Sequence, residues 1–165
     1  MSDIITIKAL VTIHVERAYA FDAERGVWLR RQEEADIIVP NLLTNTGRDQ
    51  LHVQGYDTTG LASNGFNYIG LSNDATSPSA TDTTLASELS GNGLTRAQGV
   101  YAHTTGTNTT TISNTFTYTG SSQAVQKAGL FNLSSAGVMG HETSFTQRTL
   151  FTNDTLAVTW TITLG

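Results

Sequence analysis

The first clear pattern in the chain is an alternation. Ile5, Ile7, Ala9, Val11, Ile13 and Val15 fall on one face of residues 4–15, and Thr6, Lys8, Thr12 and His14 on the other, with Leu10 the exception. A period of two over this length predicts a strand with one buried face. Five of the six odd positions are Ile or Val. Covering that face is worth about 5 kcal/mol or more at ~25 cal/mol per Å², before the entropy of ordering the segment is subtracted. It must therefore lie on the chain's own body, on a sister subunit or on another protein. Ile5, Ile7, Val11, Ile13 and Val15 are accordingly candidate assembly contacts. Asp22 to Gly26 reads as a turn, Val27 to Arg30 as a returning strand and Ala35 to Val39 as another, ended by Pro40.

The same alternation returns at the other end. Leu156, Val158, Trp160, Ile162 and Leu164 share one face, and Thr155, Thr159, Thr161 and Thr163 the other. Between the two lie candidate strands at 66–71, 95–104, 109–119, 124–132 and 142–151, punctuated by Gly106, Gly120, Gly137 and Asn153-Asp154. Residues 41–53 are ambiguous. Thr44 is placed to cap a short helix with Leu51 and Val53 facing inward, whereas Gly47 weakens one. Residues 72–83 read as a polar loop and 84–89 as one helical turn. Short strands at this spacing predict an all-β fold, an antiparallel β-sandwich of jelly-roll-like type. It would carry an extended N-terminal strand or arm and one or two short helical turns. Leu156, Val158, Trp160 and Ile162 should point into its core with Phe116 and Phe131.

Composition supports strands over helices. The 165 residues include 28 Thr and 15 Gly, and only 14% are charged, against a usual value of about 25%. Residues 1–40 hold 12 of the 23 charged positions. The chain thus divides near Pro40 into a charged N-terminal strand or hairpin arm, 1–40, and a Thr/Gly/Asn-rich sandwich body, 41–165. A net charge of −5 with no basic patch argues against nucleic acid as a partner. No apolar run is long enough to span a membrane. The N-terminus lacks the basic and apolar regions of a signal peptide, so synthesis in a cytoplasm is expected. The absence of cysteine removes disulfides, thiolate metal sites and a cysteine nucleophile.

Several short motifs occur in a distinctive order: Asn41-Leu-Leu-Thr-Asn-Thr-Gly-Arg48, Tyr68-Ile-Gly-Leu-Ser-Asn-Asp-Ala75, Thr84-Leu-Ala-Ser-Glu-Leu89, Gly93-Leu-Thr-Arg96, Lys127-Ala-Gly-Leu-Phe131 and Asp154-Thr-Leu-Ala-Val-Thr-Trp160. This order resembles small structural proteins of tailed bacteriophages, of head-decoration or tail-associated type. The resemblance covers residues 41–165; residues 1–40 match only as an extended segment before the Asn-Leu-Leu-Thr motif. It implies a non-enzymatic virion protein, with the major capsid protein or tail proteins as partners. A capsid decoration, or cement, protein that stabilises the assembled shell is the favoured placement. A tail-associated fibre, baseplate or receptor-binding component is the alternative. A homo-oligomer is expected, with a trimer favoured and residues 1–40 contributing contacts between chains.

The chemistry-bearing residues fit that reading. His14, His52, His103 and His141 show no metal-ligand spacing, and no Gly-x-Ser-x-Gly elbow exists. Glu33-Glu34 and Asp74, Asp82 and Glu88 are the candidate paired carboxylates of a glycosidase, with turn caps and solvated acids as the plainer reading. No catalytic residue, metal ligand or cofactor is expected. Glu88 and Arg96 flank the Gly91-Asn92-Gly93 turn and are candidates for a buried bidentate pair locking the loop to the sheet. The alternative is two exposed charges of little consequence. The polar run 104–111 reads either as a glycan- or host-binding surface or as a solvated hairpin.

Overall fold

A computed structural model of the chain describes residues 7–56 and 65–164. Eleven strands and one helix follow in order: β1 (Ile7–Asp22), β2 (Val27–Gln32), β3 (Ile37–Pro40), β4 (Leu42–Leu43), α1 (Asn45–Tyr56), β5 (Tyr68–Ser72), β6 (Ala97–Gln98), β7 (Val100–His103), β8 (Thr109–Thr117), β9 (Ser122–Phe131), β10 (Met139–Phe151) and β11 (Thr155–Leu164). One sheet has the order β2-β1-β11-β8-β7, with β3 also on β1; the other has the order β4-β10-β9-β5-β6. The strand pairings among the described residues are antiparallel. The fold is an antiparallel β-sandwich.

The two alternating segments found each other. β1 pairs with β11 from Ile7 opposite Leu164 to Glu16 opposite Thr155. Val11 lies opposite Trp160, Ile13 opposite Val158 and Val15 opposite Leu156, and all six side chains are buried in one cluster. Phe116, Ile69, Leu71, Val125 and Leu130 are among its other members. The apolar face of β1 thus lies on its own body. Val11, Ile13 and Val15, expected as assembly contacts, are core residues, and Ile7 is half-buried. The division near Pro40 is one of charge and not of packing, because β1 is an interior strand of the first sheet. Ile5 lies outside the described residues, as do the side chains of His52 and Val53.

Both long sides of the sandwich are closed by a strand that crosses between sheets. β3 leaves the first sheet at Pro40 and continues as β4 in the second, and β6 leaves the second sheet and continues through Gly99 as β7 in the first. The single strand expected at 95–104 is therefore two. Gly99 sits at the crossing, where a Cβ would come within 2.6 Å of Ile112 Cγ2. Helix α1 is capped as Thr44 suggested, its Oγ1 accepting from Gly47 N at 3.0 Å. Gly47 costs helix propensity but is needed for contact: a Cβ there would lie 2.3 Å from Gly140 O.

Two expectations fail for identifiable reasons. Residues 84–89 form no helical turn. Glu88 bridges to Ser72, and Leu89 N donates to Leu71 O at 2.8 Å, so the sheet takes the backbone groups a helix would need. Phe131 is buried but not beside Trp160. It faces the opposite side of the second sheet, in a small cluster with Leu85 and Met139. Ile162 is only partly buried, packed against the edge of the main core.

Trp160 is fully buried and makes ring contact with His141, centroids 6.0 Å apart. Trp160→Ala should destabilise the fold by about 3–5 kcal/mol, read as a shift in the denaturant midpoint. A change under about 1 kcal/mol would mean that the site collapses around the smaller side chain.

Candidate functional site

Beyond Glu16, β1 leaves β11 and runs on with β2 alone. Six further residues at ~3.3 Å each carry this hairpin about 20 Å past the last shared pair. Asp22 makes its turn: Oδ1 accepts from Glu24 N and Arg25 N, both at 3.1 Å, and its carbonyl accepts from Gly26 N at 2.8 Å. Gly26 supplies the positive φ of 67°. Near the tip, Phe21 lies opposite Trp28 with ring centroids 5.4 Å apart. Tyr19, at a bulge in the register, lies under the Arg31 guanidinium at 5.6 Å. Tyr19, Phe21, Val27 and Trp28 are all exposed. Clustered aromatic exposure on a projecting element marks an interaction surface.

The hairpin is held stiffly at its base by Asp154, a buried carboxylate in the β10–β11 turn. Its oxygens accept from Arg17 Nη1, from Ala18 N at 3.0 Å and from Phe151 N at 2.8 Å. The Arg17 guanidinium also stacks 4.8 Å over the Phe151 ring, and Arg30 Nε donates to Asn153 O at 3.2 Å. One carboxylate thus fixes both hairpin and turn. Asp154 opens the motif at 154–160, yet its partner Arg17 lies 137 positions away. No sequence spacing pointed to this anchor.

At the opposite end of β1 the two sheets part to leave a cavity of about 300 Å³. Ile7, Phe66, Tyr101, Ile112, Ile162 and Leu164 supply most of its apolar wall, and Asn67 and His141 are polar members. Among the described residues, Asn67 Oδ1 is buried without a hydrogen-bond partner. The Asn41 amide donates to His141 Nδ1 at 2.7 Å, leaving the ring proton on Nε2. Burial pushes the His141 pKa down to about 4, so the ring is neutral at pH 7.

The scarce charges of the body form latches. Residues 73–90 cross the outer face of the second sheet, where Lys127, buried, meets Asp74 at 2.6 Å and Glu142 at 3.3 Å. The Lys127 hydrogen bond is the main cause holding the Asp74 carboxyl below its ordinary value, while burial raises that of Glu142. The structure brings Glu88 and Arg96 together as a bidentate pair, Nε to Oε1 at 2.7 Å and Nη2 to Oε2 at 2.6 Å. The guanidinium lies 3.4 Å over the Phe131 ring, and Nη1 donates to the Leu133 and Ala136 carbonyls. The pair therefore locks three segments: the loop, the ring on β9 and the β9–β10 turn.

The other candidates are also partnered. Glu33 pairs with Arg31 and Arg17, Glu34 with Arg148, and Asp82 accepts from Ser79 N. His14 is bonded to Asp36 at 2.7 Å, which raises its pKa. His103 bonds Thr109 O across the base of the polar 104–109 turn. His141 faces inward and Glu142 outward, as neighbours on a strand must. Among the described residues no group of three or more His, Cys, Asp or Glu is placed to hold a metal, and no helix is long and apolar enough to cross a membrane. Comparison with protein-family models, with curated proteins and with solved structures finds no match to this chain.

Two expectations follow. Asp154→Ala leaves Arg17 and two backbone N–H groups without their acceptor and should cost about 2–4 kcal/mol. Amide exchange should then rise most in 17–31; protection unchanged there would show that the hairpin does not depend on Asp154. His141 gives a pH dependence. The unfolded ring takes up a proton near pH 6.5 and the folded ring only near pH 4. Its contribution to stability is therefore present at neutral pH and lost as pH falls through that window. Between pH 7 and 4 the protein should lose about 3 kcal/mol more than His141→Gln, measured from denaturant midpoints. Parallel curves would contradict a neutral buried ring.

Proposed function

We propose that this chain is a non-enzymatic structural protein of a tailed-bacteriophage virion, a decoration protein that binds the assembled head and staples neighbouring shell subunits. The observation that carries the reading is the hairpin. An exposed apolar patch of Tyr19, Phe21, Val27 and Trp28, behind the charged turn of the hairpin, stands clear of a sandwich whose charged clusters are internally latched. Asp154 fixes the base of the hairpin, which lowers the entropy lost on docking and favours affinity at small contact area. The order of motifs from Asn41 to Trp160 supports the virion context. The protein acts as a homo-oligomer, with the hairpin making contacts beyond its own chain. A tail-associated role draws instead on the exposed polar turn between β7 and β8, as a surface for host glycans.

The test adds purified chain to particles lacking it. Decoration expects saturation at a copy number in the hundreds, with density over the shell and a raised temperature of particle disruption. The double variant Phe21→Ser/Trp28→Ser, which removes two exposed aromatics without touching the core, should lose at least tenfold in occupancy. Binding at a handful of copies near the tail would replace the decoration reading with the tail reading. Undiminished binding by the double variant would remove the hairpin from the mechanism.

A further inference from the structure

We infer that Lys127 and Asp74 condense in the folded protein to an isopeptide bond that ties the 73–90 loop covalently to β9, with Glu142 as the proton carrier. The bond is a modification of the chain by itself and holds whatever the protein binds. Lys127 lies opposite Ser72 of β5 on one side and Ser144 of β10 on the other. Asp74 follows Ser72 by two residues and Glu142 precedes Ser144 by two. Both carboxylates therefore reach the amine from neighbouring strands. Nζ lies 2.6 Å from Asp74 Oδ2, 3.0 Å from Thr76 Oγ1 and 3.3 Å from Glu142 Oε1. The side chains of Lys127 and Glu142 are each 1% exposed.

A plain ion pair asks for less than this. The other two latches use Arg, whose planar fork suits buried pairing and which does not lose its proton. Seven of the nine basic residues are Arg, and Lys127 is the one lysine of the body. Lysine is the basic side chain that becomes a nucleophile once deprotonated. Here it stands between two carboxylates, although Asp74 alone would neutralise it. Among the described residues Glu142 Oε2 is buried without a hydrogen-bond partner. That is a cost which the ion pair with Asp74 does not require.

The resting site is ionic. Burial lowers the Lys127 pKa, but Asp74 and Glu142 raise it by more, and the Lys127 hydrogen bond holds Asp74 low. The step begins when one proton passes from Nζ to Oδ2 along their hydrogen bond, leaving an amine and a neutral carboxyl group. Burial helps, because it removes the water that stabilises the two ions. Nζ then attacks Cγ. With Oδ2 at 2.6 Å, Cγ lies roughly 3.4 Å away for an approach along a lone pair, inside the near-attack range of about 3–3.5 Å. Groups held in this way react as if at about 10⁵ M or more. Glu142 takes a second proton from Nζ and returns it to the departing oxygen. Its pKa is raised by burial and by the facing Asp82 carboxyl, which suits a group that takes up and returns a proton. Thr76 Oγ1 also donates to Oδ2, the oxygen that leaves. The N–Cγ bond forms, the Cγ–Oδ2 bond breaks, one water departs and Oδ1 remains as the amide oxygen. No oxidant or co-reactant is needed. Asp74 is 17% exposed, which gives the water a path to solvent.

Intact mass spectrometry of the full chain tests this, after incubation at neutral pH until the mass stops changing. The wild type should be lighter than expected by one water. Lys127→Arg, which keeps an ion pair but cannot form the amide, should show no loss once the substitution is allowed for. Tryptic digestion then locates the bond. An acylated lysine is not cut, so residues 49–96 should appear joined to residues 97–148 in one branched peptide. Glu142→Gln should form the bond about 100-fold more slowly or more, at a melting temperature no higher than that of Lys127→Arg. A wild type of full mass would overturn the inference, and this reading needs no variant to fold. A water lost within a single linear peptide, as in a succinimide, would overturn it too. A branched peptide that forms equally fast in Glu142→Gln would overturn the step as written.

Discussion

The fold depends on the pairing of its first and last strands. β1 and β11 come from opposite ends of the chain and meet over ten register pairs in the interior of one sheet. Everything else is arranged around them: β8 extends the sheet beyond β11, β2 and β3 share the outer edge of β1, and the second sheet packs on the face they present. The pairing closes nearly the whole chain into a loop, and its entropic cost grows only slowly with loop length. The burial of Val11, Ile13, Val15, Leu156, Val158 and Trp160 offsets that cost. The same requirement makes folding slow relative to local topologies, since the core forms only after distant segments meet.

A sandwich with this much Thr and Gly has few other ways to hold a long loop. Residues 73–90 have no strand of their own to pair with, apart from the bridge at Glu88. Two charged latches pin them, Lys127 with Asp74 and Glu142, and Arg96 with Glu88. Both are buried enough to be costly if half of a pair is lost. They bring register more than raw stability, since each fixes one position of the loop over one position of the sheet. A third latch, Arg17 with Asp154, does the same for the hairpin. The three take up six of the eleven charged residues of the body, and the exposed aromatics of the hairpin are left without a packing role within the chain.

Much of this was legible in the chain of letters. Period-two alternation at 4–15 and 155–164 set two strands and their buried faces, because a strand half covered by a core must alternate whatever its partner is. Turn residues and the dearth of charge set the class. The Glu88–Arg96 pair could be read from the turn between them, since a tight turn brings its flanks together. Other features lay beyond any local pattern. Whether the apolar face of β1 was covered by its own chain depended on the second sheet, whose strands come from distant segments. Gly47 counted against a helix by propensity, yet contact with Gly140 required it. Phe131 fell on the outer face because it alternates with Ala128 and Leu130, which point inward. The Asp154 anchor, the cavity and the orphaned Asn67 oxygen exist only where segments distant in sequence converge. Alternation and turn chemistry are local physics, written residue by residue; which strand covers which face, and what the ends leave open, is decided by packing.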